Sequence, residues 1–197
     1  MSIPLLTRRT TICVLSVALV SLAAATPALG SDPADVVRNG ANRMLQVLKS
    51  GASDAERRAT LKEVLNQSFD LQAFGRTVLG RHWKGATPEQ QRRFLAALEK
   101  AEVAAYADRF KEYSGQTLKV GKTTTNGAVQ LVNSEIITPN DPQPVRIVWE
   151  VQNGKITDVI VEGVSMAATR RSDFNAYIQK NGLDGLIAEL ERRTHGS

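Results

Sequence analysis

Cysteine, histidine and aromatic residues are scarce in this sequence of 197 residues. It has one cysteine, Cys13, and two histidines, His82 and His195, and aromatic residues make up 5% of it. A disulfide framework needs paired cysteines, so none is expected. The histidines lie in unrelated parts of the chain, which argues against a catalytic dyad or a histidine-rich metal site. We therefore predict a protein that is not an enzyme and that holds no metal or cofactor.

The sequence also lacks a concentrated basic segment. It contains 25 Lys and Arg against 20 Asp and Glu, with no run of basic residues longer than two. Aromatic side chains do not alternate with the basic ones, as a nucleic-acid surface would require. Gly121-Lys122-Thr123 resembles the end of a phosphate-binding loop, but five residues instead of four separate it from Gly115. We expect no nucleic acid and no ATP, while transient contact with an anionic membrane surface stays open.

Residues 1–30 have the pattern of a cleaved signal peptide. Arg8-Arg9 precede an apolar run of fourteen residues, 12–25, and small residues follow at Ala28 and Gly30. Such a run is short for a bilayer span, so an uncleaved anchor is the weaker alternative. The general and twin-arginine export routes both stay open. We predict export to the periplasm and a mature domain of residues 31–197, which contains no cysteine.

The mature sequence is helical in its first half and rich in strands in its second, which predicts one α+β domain. Antiparallel pairing is indicated by Asn126-Gly127 and Asn153-Gly154, two tight-turn signals. The apolar periodicity predicts helices over 33–49, 54–67, 70–80, 87–113, 172–180 and 184–193, and four strands over 117–124, 127–138, 144–152 and 155–165. The break at Glu162-Gly163 is interpreted as a bend within the last strand and not as a hairpin.

The predicted helix 87–113 has an apolar stripe wider than one-sided packing needs. Phe94 and Leu98 lie on one face, and Tyr106 and Phe110 lie on an adjoining face. This pattern is consistent with a central helix covered by other protein elements, and also with a helix that forms one wall of a binding cavity. Periodicity alone does not choose between them.

Several segments together resemble the MlaC family, also called the toluene-tolerance family. They are the Phe69-Asp70 to Trp83 segment, TPEQQRRFLAAL, YADRFKEYSGQ, PVRIVWEVQ and ITDVIVEGVSMAATRRSDFNAYIQKNGLDGLIAEL. The likeness extends over residues 33–193, and its last forty residues are its most specific part. It implies a helical half packed on a curved four-stranded antiparallel sheet, with C-terminal helices, enclosing an apolar cavity.

The resemblance also implies a function and a site. Members of the family are periplasmic carriers that hold phospholipid acyl chains and pass lipid between an outer-membrane lipoprotein/porin complex and an inner-membrane ABC lipid transporter complex. Arg170 and Arg171 are expected near a lipid phosphate or an anionic partner, or as a solvated pair. The predicted acyl-cavity residues are Val145, Val164, Ile147, Trp149, Val161, Met166, Phe94, Leu98, Tyr106 and Phe110.

Three other interpretations remain open from the sequence. Arg171-Ser172-Asp173-Phe174 is also similar to a related branch that occurs with hopanoid biosynthesis, for which the cargo would be a different lipid. A periplasmic protein-interaction module would cover the wide apolar helix with protein and would have no cavity. An enzyme on a similar scaffold is disfavoured by the scarcity of histidine and the absence of mature cysteine.

Overall fold

The computed structural model describes residues 32–193, so the predicted signal peptide and His195 lie outside the described part. The protein has the predicted α+β fold. Its elements in chain order are α1 (Pro33–Lys49), α2 (Asp54–Ser68), α3 (Leu71–Leu79), α4 (Arg81–Gly85), α5 (Pro88–Phe110), β1 (Thr117–Asn126), β2 (Val129–Ile137), β3 (Val145–Gln152), β4 (Lys155–Val161), β5 (Val164–Ser165) and α6 (Met166–Arg193). Within residues 32–193, every helix is too short or too polar to cross a bilayer.

Side-chain caps fix where the central helices begin. The Thr87 hydroxyl accepts a hydrogen bond from the Gln90 amide, and the Gln90 side chain accepts one from the Thr87 amide. Ser53 and Glu56 form the same capping box at the start of α2. Each box satisfies two backbone donors that a helix start would otherwise leave unpaired. The predicted start of α5 is therefore confirmed.

The sheet has five strands, so the prediction of four was wrong. Its strands run antiparallel in the order β1-β2-β3-β4-β5. Glu162 and Gly163 both have positive φ, at 48° and 82°, and Val161 pairs with Val164 across them. This is the geometry of a two-residue type I′ turn. The break after Val161 is a hairpin turn and not a bend within one strand.

The C-terminal helix also begins earlier than predicted. One element extends over Met166–Arg193 with a break at Gly182, whose φ is 73° and ψ 171°. The helix begins directly after β5 because the Ser165 hydroxyl accepts a hydrogen bond from the Ala168 amide at 3.0 Å. The break at Gly182 divides this element into two helices, as predicted for the tail. The predicted start at Ser172 is wrong, because the first of these helices begins six residues earlier, at Met166.

Buried side chains form three clusters. The helical core joins α3, α5 and α6 and contains Val78, Leu79, Phe94, Ala97, Leu98, Ala167, Phe174, Ile178, Leu186, Ile187 and Leu190. The sheet core joins α1 to the sheet and contains Ala34, Val37, Val132, Val151 and Ile156. A third cluster, between α1, α2 and α5, contains Met44, Leu48, Leu61 and Ala107. The wide stripe of α5 is therefore used twice, by the helical core and by the third cluster.

Candidate functional site

A narrow pocket lies where α2, α3, α5, α6 and β4 meet. Its volume is about 40 Å³. The wall is mostly apolar and consists of Leu65, Phe69, Leu71, Phe74, Glu102, Tyr106, Asp158, Val159, Met166 and Arg170. Ligand pockets for small molecules usually hold about 300–1,000 Å³. In this conformation the pocket is therefore closed, and its volume is much smaller than that of a typical ligand pocket.

An ion pair forms one side of the pocket. Arg170 Nε donates to Glu102 Oε1 at 2.8 Å, and a second guanidinium nitrogen donates to Glu102 Oε2 at 3.3 Å. Glu102 is only 7% exposed, so its negative charge would be unfavourable in the interior without the opposite charge of Arg170. Burial lowers the pKa of Arg170, but the hydrogen bond and charge of Glu102 raise it more, so the net shift is upward. The guanidinium therefore remains charged inside the pocket wall.

Tyr106 lies beside this ion pair. Burial raises the pKa of its phenol, and the neighbouring Glu102 carboxylate raises it further. The Arg109 guanidinium lies 5.6 Å from the centre of the Tyr106 ring. The phenol is thus neutral at ordinary pH and provides an aromatic surface to the pocket.

Asp158 is buried in the same wall but has a structural role. It is 8% exposed, and its carboxylate accepts hydrogen bonds from the Ala167 amide at 2.9 Å, the Val159 amide at 2.7 Å and the Ser165 hydroxyl. These bonds tie β4 to the first turn of α6. Because the carboxylate is so well supplied with donors, it is suited to holding the fold and not to capturing a ligand.

Four predicted site residues line up on one face of the sheet. Ile147 pairs with Val161, and Val161 pairs with Val164, so their side chains share a face. Val145 lies two residues before Ile147 and therefore on the same face. We call Val145, Ile147, Val161 and Val164 the valine strip. Its outer members are exposed, Val145 at 36% and Val164 at 57%, whereas Ile147 is 6% exposed.

The other predicted acyl-cavity residues are distributed over the rest of the interior. Tyr106 and Met166 line the narrow pocket. Trp149 packs against the sheet core, and its indole N–H donates to the Ser134 hydroxyl at 2.7 Å. Phe94 and Leu98 are fully buried in the helical core, and Phe110 packs against the third cluster. The structure therefore groups the sheet positions together and separates them from the two residues of α5 in the helical core.

The two predicted arginines lie on different sides of α6. Arg170 faces the narrow pocket, whereas Arg171 lines a surface pocket with Leu79, Arg81, His82, Ala168, Ser172 and Asn175. Among the described residues, no group of three or more His, Cys, Asp and Glu could hold a metal ion.

Sequence reasoning missed much of the pocket wall, namely Leu65, Phe69, Leu71, Phe74, Glu102, Asp158 and Val159. One signal was readable in the sequence. Glu102 lies four residues after Leu98 and four before Tyr106, so it is a lone acid within the apolar stripe of α5. A buried acid in such a position needs a partner, which indicates a special site.

Comparisons with known proteins agree on one family. The family model described as "MlaC protein" matches residues 38–192. The chain is 24% identical over 143 residues to the intermembrane phospholipid transport system binding protein MlaC of Haemophilus influenzae, covering 68% of this chain and 67% of that protein. It is 24% identical over 186 residues to toluene tolerance protein ttg2D of Pseudomonas putida, covering 88% and 86%.

A solved structure shares the fold. It is a phospholipid-binding protein from Ralstonia solanacearum, determined in complex with a phospholipid. The superposition has a TM-score of 0.74 at 22% sequence identity and covers 84% of this chain and 98% of the other.

Proposed function

Because this chain belongs to the MlaC family, we propose that it is a periplasmic binding protein that carries phospholipid. The acyl chains lie between the sheet and the helices, and they occupy the narrow pocket together with the valine strip. The names of the relatives support lipid as the cargo, since one is a phospholipid transport binding protein and another was solved with a phospholipid.

The observation that carries this proposal is a row of apolar side chains on one face of the sheet, here called the apolar path, which leads from the pocket wall to the surface. Val159 lines the pocket and lies two residues before Val161 on β4, so both side chains share the sheet face of the valine strip. The path ends at Val145 and Val164, which are large apolar residues exposed to solvent. Exposed apolar residues that are contiguous with a pocket typically mark a binding surface.

Lipid entry requires this path to widen. At one end, α3 is held to β4 by a hydrogen bond from the Asp70 amide to the Ile156 carbonyl at 2.9 Å, and Phe69 forms a bridge with Ile156. The far end of β4, near the valine strip, carries no such backbone link to α2 or α3. We propose that the sheet separates from α2 and α3 at that end while Asp158 keeps it tied to α6, and that the Glu102–Arg170 ion pair in the pocket wall favours the closed arrangement.

Physical chemistry explains why such a carrier is needed. Acyl chains gain about 0.8 kcal/mol for each CH₂ removed from water, so two chains of roughly sixteen carbons avoid water by about 25 kcal/mol. Free diffusion through an aqueous compartment is then negligible. The net affinity has to be much smaller, because non-covalent affinities saturate and the lipid must be released again. We propose that outer- and inner-membrane complexes accept and supply the lipid, and that they set the direction of transport.

Lipid extraction tests the proposal. Protein purified from the periplasm without detergent should yield about one lipid per chain by mass spectrometry, because an open apolar cavity costs about 25 cal/mol per Å². A phospholipid supports the proposal, whereas a hopanoid assigns the chain to the hopanoid-associated branch. Stable protein without lipid contradicts the proposal and favours the protein-interaction module.

The intact mass of the same periplasmic protein tests export. We expect a species that begins after Gly30, as the signal-peptide pattern of residues 1–30 predicts. A membrane-bound species that keeps those residues would contradict the periplasmic assignment.

A further inference from the structure

A second pocket opens on the side of α6 that faces away from the narrow pocket. It has a volume of about 380 Å³ and is lined by Leu79, Arg81, His82, Ala168, Arg171, Ser172 and Asn175. The residues of α6 that line the two pockets lie on opposite sides of the helix axis. Met166 and Arg170 face the narrow pocket, whereas Arg171 and Asn175 face the second pocket. Lipid chains in the narrow pocket therefore lie on the opposite side of the helix.

The charge of this second pocket is distinctive. Within residues 32–193, every other arginine is either in an ion pair with a carboxylate or stacked on an aromatic ring. Arg81 and Arg171 are the exceptions in that part of the chain, and both line the same pocket. Two guanidinium groups without a counter-charge in one concave site attract an anion.

The backbone makes room for one of these guanidinium groups. Gly80 ends α3 with φ 52° and ψ −122°. A Cβ atom at this position would lie 2.7 Å from Arg171 Nε, so any other residue here would force the Arg171 side chain to shift. Gly80 thus has both a positive φ and a close contact with the Arg171 side chain, at the point where this side chain enters the pocket.

Arg81 is positioned by two neighbours. One of its terminal nitrogens donates to Asn175 Oδ1 at 3.0 Å, and His82 Nε2 lies 3.0 Å from the same oxygen. Since Oδ1 only accepts, His82 Nε2 carries the proton and donates. Arg81 Nε lies 3.5 Å from the same His82 nitrogen, and neither neighbour is a carboxylate that would neutralise the guanidinium.

We infer that this pocket binds a phosphate group, at a site separate from the acyl chains. Guanidinium groups recognise phosphate oxygens through paired, charge-assisted hydrogen bonds, and the Ser172 hydroxyl adds a further donor. Leu79 and Ala168 supply an apolar floor against which an organic substituent of a phosphate ester can pack. The phosphate can belong to a lipid headgroup at a membrane surface or be free in solution. The inference does not depend on lipid carriage, because its residues lie outside the narrow pocket.

Titration with inorganic phosphate and glycerol phosphate tests the site. Amide signals of residues 80–83 and 168–175 should shift in nuclear magnetic resonance spectra at low salt. Replacing both Arg81→Gln and Arg171→Gln should weaken binding by about tenfold or more, as expected for the loss of charge-assisted hydrogen bonds. Arg92→Gln is the matched control, because Arg92 is an exposed arginine on α5 that already pairs with Glu89. It should change the affinity by less than about twofold.

Vesicle binding then identifies the source of the phosphate. Vesicles of phosphatidylcholine with an equal part of phosphatidylglycerol should bind the wild type and the control, and the double variant should bind less if a headgroup is the ligand. Equal vesicle binding by all three, with phosphate binding lost only in the double variant, identifies free phosphate. The inference is overturned if phosphate causes no localised shifts, or if Arg92→Gln loses as much affinity as the double variant. Co-purified lipid is measured on the same samples, so failure of the carrier proposal is detected separately.

Discussion

The helical core and the narrow pocket are both interior regions lined by α5, but their contents differ. The helical core is apolar throughout, and Phe94 and Phe174 meet edge to face with ring centres 5.9 Å apart. The pocket, in contrast, includes the buried Glu102 carboxylate and its partner Arg170.

This difference indicates a division of labour along α5, by which we mean that the two regions have different roles in stability and in ligand binding. Close apolar packing stabilises a fold most, because each buried CH₂ gains contacts and loses water. A wall that must separate to admit a ligand cannot be packed in that way, and its buried charges cost desolvation energy. We infer that the helical core maintains the fold, whereas the pocket and valine strip are kept for the cargo.

The largest expected effect is on stability, from Leu98→Ala in the helical core. Leu98 is fully buried, so the substitution removes contacts and leaves a cavity. We expect a loss of about 3–5 kcal/mol in the free energy of unfolding, measured by chemical denaturation. Lipid per folded molecule should stay unchanged. Leu71→Ala in the pocket wall is the matched control and should cost less, because Leu71 already borders a void. An equal cost at both positions would remove the distinction between the two regions.

A smaller effect is expected from Glu102→Gln in the pocket wall. The substitution leaves the Arg170 guanidinium without its counter-charge, and we expect a loss of about 1–3 kcal/mol. Lipid exchange with vesicles, followed by fluorescence, should become faster because the closed arrangement is weakened. Glu89→Gln breaks an exposed ion pair with Arg92 and should have little effect on either property. Unchanged exchange in the Glu102 variant would show that the ion pair does not hold the pocket closed.

Val164→Asp should change stability by less than about 1 kcal/mol, because Val164 is 57% exposed. Its effect on lipid content should nevertheless be strong, since an unpaired carboxylate among acyl chains is disfavoured. Circular dichroism and thermal melting report the fold, and mass spectrometry reports the lipid. Thr124→Asp adds the same charge to an exposed position of β1 and should keep its lipid. An unfolded Val164 variant would place this residue in the core, and one that keeps its lipid would remove it from the site.

The smallest effect concerns pH. Burial raises the pKa of Glu150 above 4.5, and the neighbouring Asp158 raises it further. The folded protein therefore holds this proton more tightly than the unfolded chain, so stability falls as pH rises from 4.5 through the raised pKa. Glu150→Gln should remove that fall and stabilise the protein by less than about 0.5 kcal/mol at pH 7. Thermal melting from pH 4 to 7 measures it, with the exposed Glu112→Gln as control, and identical pH profiles would contradict the assignment.

Local signals explain which parts of the fold were predictable. Thr87-Pro88 and Asn153-Gly154 specify a helix start and a hairpin through short-range hydrogen bonds and backbone preferences, and both predictions were confirmed. The hairpin at Glu162-Gly163 was missed because glutamate rarely adopts positive φ. The Glu162 amide donates to the Arg146 carbonyl at 2.9 Å and its carboxylate accepts from the Arg146 guanidinium at 3.2 Å. These contacts offset the unfavourable backbone conformation of Glu162. They join residues that are sixteen positions apart, so no local sequence pattern predicts them.

The candidate site was predictable only in part, for a similar reason. Alternation along β3 correctly groups Val145, Ile147 and Trp149 on one face. Periodicity along α5 shows that Leu98 is buried but not which elements bury it. The pairing of Glu102 with Arg170 joins positions 68 residues apart, and a single sequence contains no signal for such a pair.

Methyl signals of the protein loaded with a phospholipid carrying a spin label on one acyl chain would test the central claim most directly. A spin label broadens the signals of nearby methyl groups, so it distinguishes the two interior regions in one spectrum. The division of labour predicts strong broadening at Val159 and along the valine strip, with Leu98, Leu186 and Ile187 of the helical core left sharp. Broadening of the helical core with a sharp valine strip would contradict it, because the acyl chains would then occupy the region assigned to maintaining the fold.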